Sequence, residues 1–348
     1  MAADGVVSSD AQVRRASDSE RVSNPIEPRD EWRYAIRRAW HGFMLHRGID
    51  SAATLAFFAA LTILPAALTV VSAFALAQGK EQAADTVLDL AEEILRPSTV
   101  ELITEPLTQL FSIDSPGLAL AIGIALSIWS MSSYATAFGR AANSVYEVQE
   151  GRRLVKFRGL MLILSAFLLI AFTAVVTLLL TTNNVATAIG EELRIGEPWI
   201  VIWSYGRWPV LAAILTMIIA VLYYYTPNVR HERMRWVGTG AVFAIVAWGL
   251  ATAAFGFYVS TIANYDRVYG WLGGALALLI WLYISKLALV AGVEVDAEFT
   301  RLRQLLAGVP AEQTVQLPLR DTARNLILAR RQAADEADAV AIREREQR

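Results

Sequence analysis

The chain has 348 residues, 55% of them hydrophobic and 18% charged, with a formal net charge of −2 and no cysteine. The missing cysteine excludes disulfides, thiolate metal sites and cysteine nucleophiles. The near-neutral sum says little, whereas the placement of apolar blocks and basic residues along the chain excludes an ordinary soluble fold.

Residues 1–30 are polar and mixed in charge, with no apolar stretch after a basic start, so a disordered extension and no cleaved signal are expected. The segment "EWRYAIRRAWHGFMLHRG" at 31–48 follows. Trp32, Ile36, Trp40 and Phe43 recur at helical spacing, with Arg33, Arg37 and His41 set to one side. That pattern predicts an amphipathic helix lying in the membrane interface. The alternative is a short helix packed on the inner loops.

Crossing a hydrocarbon core of about 30 Å takes about 20 apolar residues. Six stretches meet this: 52–77, 117–138, 160–182, 208–226, 237–259 and 271–293. None holds an aspartate or glutamate, and Lys286 is the sole basic residue in them. A soluble helix would show polar residues on its solvent side at every third or fourth position. The expected fold is therefore all-α and polytopic, with six transmembrane helices.

Within the first span Pro65 removes a backbone donor, and the carbonyl it frees needs a partner, for which Thr62 is near. Between the first two spans, residues 81–113 predict an extracytoplasmic amphipathic hairpin. Pro97 ends its first helix, and Ser98 with Glu101 stands at capping-box spacing to start the second. Structural packing is its simplest role. The second span is dense in hydroxyls, with Ser127, Ser130, Ser132, Ser133 and Thr136. Such residues commonly allow close helix packing, and a polar conduit is the sharper alternative. In the last span the Lys286 ammonium must either snorkel to the inner surface or face a polar cavity or substrate path. Residues 301–348 form a charged tail, expected as a solvated helix or extension.

Basic residues orient the bundle. With both termini inside, the inner segments hold 25 Lys and Arg and the outer ones five. This bias predicts N-in, C-in topology in a cell membrane.

Catalytic patterns are missing. His41, His46 and His231 are scattered through arginine-rich segments and form no metal-ligand motif, and no glycine-rich phosphate loop or nucleophile elbow is present. No enzyme activity, catalytic residue, metal or cofactor is expected. The expected partners are the bilayer and anionic headgroups at the basic inner loops; self-association stays open and no nucleic acid is expected.

Four motifs in order resemble the YihY/BrkB family, long labelled ribonuclease BN-like. They are "AATLAFFAALTILPAAL" at 52–68, "FGRAANSVYEVQEGRR" at 138–153 with Asn143, Tyr146 and Arg152, "YYYTPNVRHERMRWVGTGAVFAIVAW" at 223–248, and "YGWLGGALALLIWLYISKLALVAGVEVDAEF" at 269–299 with Glu294. The resemblance implies an integral protein of the bacterial inner membrane. Its ribonuclease label asks for an H-x-H-x-D-H zinc ligand set that this sequence lacks. The candidate functional positions are Lys286, Pro65, Thr62, Ser130, Ser133, Asn143, Tyr146 and Glu294. Transport or handling of an envelope component, lipid or amphiphile is the leading reading. An envelope-interaction protein comes second and a membrane-associated nuclease a weak third.

Overall fold

The computed structural model describes residues 28–79, 115–180, 198–230, 238–261 and 271–346, with isolated positions between 83 and 109. The extension expected before residue 28 and nearly all of the hairpin at 81–113 lie outside the described residues.

Among the described residues eight named helices carry the fold: α1 (Pro28–Leu45), α2 (Gly48–Gln78), α3 (Pro116–Val145), α4 (Leu154–Leu180), α5 (Pro198–Tyr225), α6 (Thr239–Thr261), α7 (Trp271–Leu306) and α8 (Ala323–Glu346). Six of them, α2 to α7, are long and apolar enough to cross a membrane. No strand occurs among the described residues, where the single β feature is an isolated Val229–Leu319 bridge. Large side chains such as Leu64, Trp129, Ile163 and Leu250 point outward and are 77%, 75%, 71% and 68% exposed. Water could not solvate such a surface in a monodisperse protein, whereas lipid does.

Successive spans run in opposite directions. As a result the end of α1, the α3–α4 connection, residues 226–230 after α5, the end of α7 and the chain leading to α8 gather at one end, the basal end.

Two helix pairs pack closest, both through small residues, as expected where lipid tails provide no hydrophobic drive between helices. In the first, Gly123 of α3 lies on Thr69 of α2, so a Cβ at 123 would stand 3.0 Å from the Thr69 nitrogen. In the second, Gly240 of α6 meets Gly292 of α7, and a Cβ on either would overlap the facing backbone. Trp248 and Trp281 add indole donations across the same seam, to Ser285 at 3.1 Å and Thr252 at 3.3 Å. The centre is filled by Leu55, Phe138, Met161 and Val290. There the Phe138 and Tyr223 rings stack with centroids 5.8 Å apart.

Several helices outrun their apolar stretches. α3 continues past Phe138 to Val145, so the first part of the sequence-derived inner loop is helical, with Gly139 fitted against the Thr226 carbonyl. α7 continues past Val293 to Leu306 because its acidic residues find partners instead of water. After α7 the chain forms a strap across the base. Arg230 donates to the Pro318 carbonyl at 2.8 Å and Arg320 to the Asn228 carbonyl at 2.9 Å. α8 then extends with nearly every residue exposed.

α1 packs Ala35, Ala39 and Phe43 inward and edges Trp32 on Phe299 of α7 at 5.0 Å. Trp32, Ile36, Trp40 and Met44 line its exposed side. The outward stripe expected from sequence thus ends on Met44, one turn beyond Trp40, while Phe43 is buried because it covers Gly48.

Candidate functional site

The basal end holds a buried layer of charge. Glu294, Asp296, Glu298 and Arg301, on the last turns of α7, are 1%, 8%, 3% and 1% exposed. An unpaired charge in such a place is costly, so each must be matched. Glu298 lies between two guanidinium groups, with Arg301 Nε at 3.1 Å and Arg38 Nε of α1 at 3.1 Å. Arg301 also approaches Glu147 at 3.5 Å and donates to the Ala311 carbonyl at 2.8 Å, which anchors the strap. Tyr146, at the end of α3, donates its hydroxyl to Asp296 at 3.1 Å.

Glu294 pairs with His46, the residue that turns α1 into α2, through Nδ1 and Oε1 at 2.7 Å. The same imidazole has Glu147 3.9 Å from its Nε2. The hydrogen bond to Glu294 holds the imidazolium form and raises the His46 pKa above its ordinary value, against the opposing effect of burial. The second Glu294 oxygen is buried without a hydrogen-bond partner among the described residues. It lies where a side chain on Gly42 would collide, at 2.8 Å from the Cβ position.

A second knot lies beside this layer. Asn143 donates to Glu150 at 3.1 Å and accepts from the Asn228 backbone at 2.7 Å. Arg152, 2% exposed, forks onto both Glu150 oxygens at 2.7 Å and donates to the Tyr225 and Thr226 carbonyls that end α5. Asp321 receives the Ala323 backbone at 2.9 Å and the Lys156 ammonium at 3.0 Å, and these hold its carboxyl below the usual carboxylate range.

A half-open cleft of about 210 Å³ lies under α1, lined among others by Tyr34, Arg37, Arg38, His41, His46 and Glu147. Arg37 and His41 stand one turn apart on that wall.

The other sequence-derived candidates form a separate group inside the bundle. Thr62 of α2 and Ser130 of α3 meet at 2.9 Å. Thr62 gives its proton to the Phe58 carbonyl at 2.8 Å, so Ser130 must be the donor of that pair. Two turns further along α2, Thr69 bonds the Pro65 carbonyl at 2.9 Å and meets Ser127 at 3.1 Å in the same arrangement. These hydroxyl pairs are spent on joining α2 to α3 and leave no spare donor. Thr62 therefore serves the turn before the carbonyl that Pro65 frees. Ser133 folds back on the Trp129 carbonyl at 3.4 Å.

Lys286 places its ammonium 5.1 Å from the centre of the Tyr134 ring of α3. The Tyr146–Asp296 bond gives a common level at the basal end. At about 1.5 Å per residue, Tyr134 lies about 18 Å along α3 from that level and Lys286 about 15 Å along α7. Side chains lean toward the N-terminus of their helix, which for both helices is away from the base. The lysine therefore reaches deeper into the bundle instead of turning to the basal surface.

The structure thus joins Asn143, Tyr146 and Glu294 to the basal layer and leaves Lys286, Pro65, Thr62, Ser130 and Ser133 in the bundle. The sequence reading passed over His46, Glu147, Asp296, Glu298, Arg301, Asn228 and Arg320. One signal was present: Glu294, Glu298 and Arg301 stand at i, i+4 and i+7, which puts them on one helical face directly after an apolar span. No group of side chains suited to holding a metal ion occurs among the described residues.

Comparison with known proteins places this geometry. A family model described as virulence factor BrkB matches residues 39–314. The ribonuclease-like protein YfkH of Bacillus subtilis (strain 168) is similar, with 30% identity over 274 residues, 78% of this chain and 96% of that protein. A UPF0761 membrane protein of Laribacter hongkongensis (strain HLHK9) is 27% identical over 75% of this chain and 60% of its own length. Another, from Alkalilimnicola ehrlichii, is 27% identical over 73% of this chain and 54% of its own. The chain thus spans only a little over half of those two longer relatives. No solved structure matches. With the family match running from α1 to just beyond the end of α7, the chain belongs to the virulence factor BrkB family of multi-pass membrane proteins.

Proposed function

We propose that this protein lies in the bacterial inner membrane with its basal end in the cytoplasm, and that it moves or handles an envelope amphiphile, a lipid or lipid-like molecule. The 25-to-five distribution of Lys and Arg supports the orientation. The observation that carries the reading is the amphipathic seam at α1. Trp32, Ile36, Trp40 and Met44 face outward, and the next face of the same helix opens on the cleft with Arg37 and His41. A molecule with an apolar tail and an anionic head meets a complementary surface there, Arg37 adding about 1 kcal/mol of attraction near an anionic membrane.

The test is lipid exchange in proteoliposomes containing headgroup-labelled phosphatidylglycerol and an impermeant quencher. Wild type should speed loss of the protected label over protein-free vesicles, and an Arg37→Ala/His41→Ala variant should slow it at least tenfold. Wild-type traces that superimpose on empty vesicles reject the reading. Docking of a partner is the second reading, favoured by α8, which projects from the base with almost no cover. Crosslinking from α8 that captures nothing counts against it.

A further inference from the structure

We infer that Lys286 is the recognition point for an anionic group, a phosphate, sulfate or carboxylate, bound inside the bundle between α3 and α7. The inference deepens the amphiphile reading and rests on it for the origin of the anion. Three observations carry it.

First, the ammonium has no counter-ion among the described residues. The six apolar stretches at 52–77, 117–138, 160–182, 208–226, 237–259 and 271–293 contain no aspartate or glutamate, and Lys286 makes no ion pair among the described residues. The carboxylates of the basal layer are already committed: Glu294 to His46, Glu298 to Arg38 and Arg301, and Asp296 to Tyr146. Second, the lysine has not escaped to the surface. Its stem could carry the ammonium toward the basal interface, yet the group lies over Tyr134, whose backbone is no nearer to the base. The face of an aromatic ring compensates a cation weakly and leaves the outer side of the ammonium available. Third, the hydroxyl one turn away on the same side of α3 is already engaged, since the Ser130 proton is spent on Thr62. With no partner among the described residues, the ammonium is suited to an outside anion, carried either on the headgroup of an amphiphile or as a free solute. Intramembrane charges left in this condition mark substrate and ion paths in general.

The test uses the full-length protein, purified in mild detergent and titrated with phosphatidylglycerol, phosphatidylcholine and inorganic phosphate, with occupancy read by native mass spectrometry. The wild type should hold phosphatidylglycerol in preference to phosphatidylcholine. Lys286→Met should lose about tenfold in that affinity, and Lys286→Arg should keep it within about threefold. Tyr134→Leu, which preserves the charge, should retain the preference and shows that the effect is ionic. Binding of inorganic phosphate that depends on Lys286 and equals that of the lipid supports the anion site and assigns it to a free solute. Equal phosphatidylglycerol occupancy in wild type and Lys286→Met, both monodisperse on gel filtration, overturns the inference. A wild type that binds through Lys286 yet fails to speed lipid exchange leaves the site standing and removes the handling function alone.

Discussion

His46 carries a pH signature that the basal geometry makes explicit. Its pKa is raised by the hydrogen bond to Glu294, with Glu147 and Glu298 adding attraction and burial opposing. A raised folded value means that the protonated imidazole is bound more tightly in the native state than in the unfolded chain. The stabilisation is full below the unfolded value of about 6.5 and is lost as pH rises through the higher folded value. Thermal melting in detergent should therefore show wild-type stability falling as pH climbs from about 6.5 toward alkaline values, in line with the ordinary histidine range. A His46→Gln variant should be flatter over the same window, and identical slopes for both proteins would contradict the pairing. Arg152 gives a second prediction. Arg152→Ala strands Glu150 and two carbonyls at the end of α5, at a cost of about 3–5 kcal/mol. Arg152→Lys should rescue little of the melting temperature, because an ammonium cannot reproduce the two-pronged contact. Glu294, Asn143 and Tyr146 were legible as polar residues beside apolar spans. His46 was not, because its partner lies 248 positions away along the chain and only the folded bundle brings the two together.

Among the elements, the α6–α7 seam tolerates the least change. Gly240→Ala would drive a methyl into the Gly292 carbonyl and Asp296, forcing the two helices apart. Overpacking of this kind costs about 1–3 kcal/mol, so a lower melting temperature and a looser seam are expected. Gly249→Ala, on the same helix with open space at its Cβ, is the control and should match wild type. The number and place of the membrane helices were legible because apolar length is set by bilayer thickness. Their ends were not. α3 and α7 leave the apolar region without breaking, since nothing in "GRAANSV" or "VEVDAEFTRL" forbids helix, and the charges are met by other helices. The face of α1 was misjudged by one residue at Phe43 for a related reason. Its pattern suits either lipid or protein, and the glycine at 48 decides which apolar side chain turns inward.

At the scale of the molecule, orientation is open to direct measurement because the chain has no cysteine of its own. Single cysteines at Ala334 on exposed α8 and at Gly117 at the start of α3 should report opposite sides. An impermeant maleimide should label Gly117→Cys in intact cells and Ala334→Cys only after lysis; the reverse pattern would invert the proposed topology. The bundle as a whole divides its polarity. Hydroxyls and small residues join helices in the middle, and ions cluster at the base. Composition pointed to the first division through the serines of the second span. The second could not be read from charge counts alone, since the basic residues counted there include ones locked in ion pairs with buried carboxylates.

The strap has a bearing on truncation. Its hold on the base runs through Pro318, Leu319, Arg320 and Asp321, and the first turn of α8 adds a backbone donation from Arg324 to the Gly151 carbonyl at 2.8 Å. A stop codon after Leu328 would shear off an exposed rod and spare the latch. One placed after Val315 would unfasten Asn228 and Arg152's neighbours together, so a gene shortened to that point should yield a protein that proteases clear from the membrane.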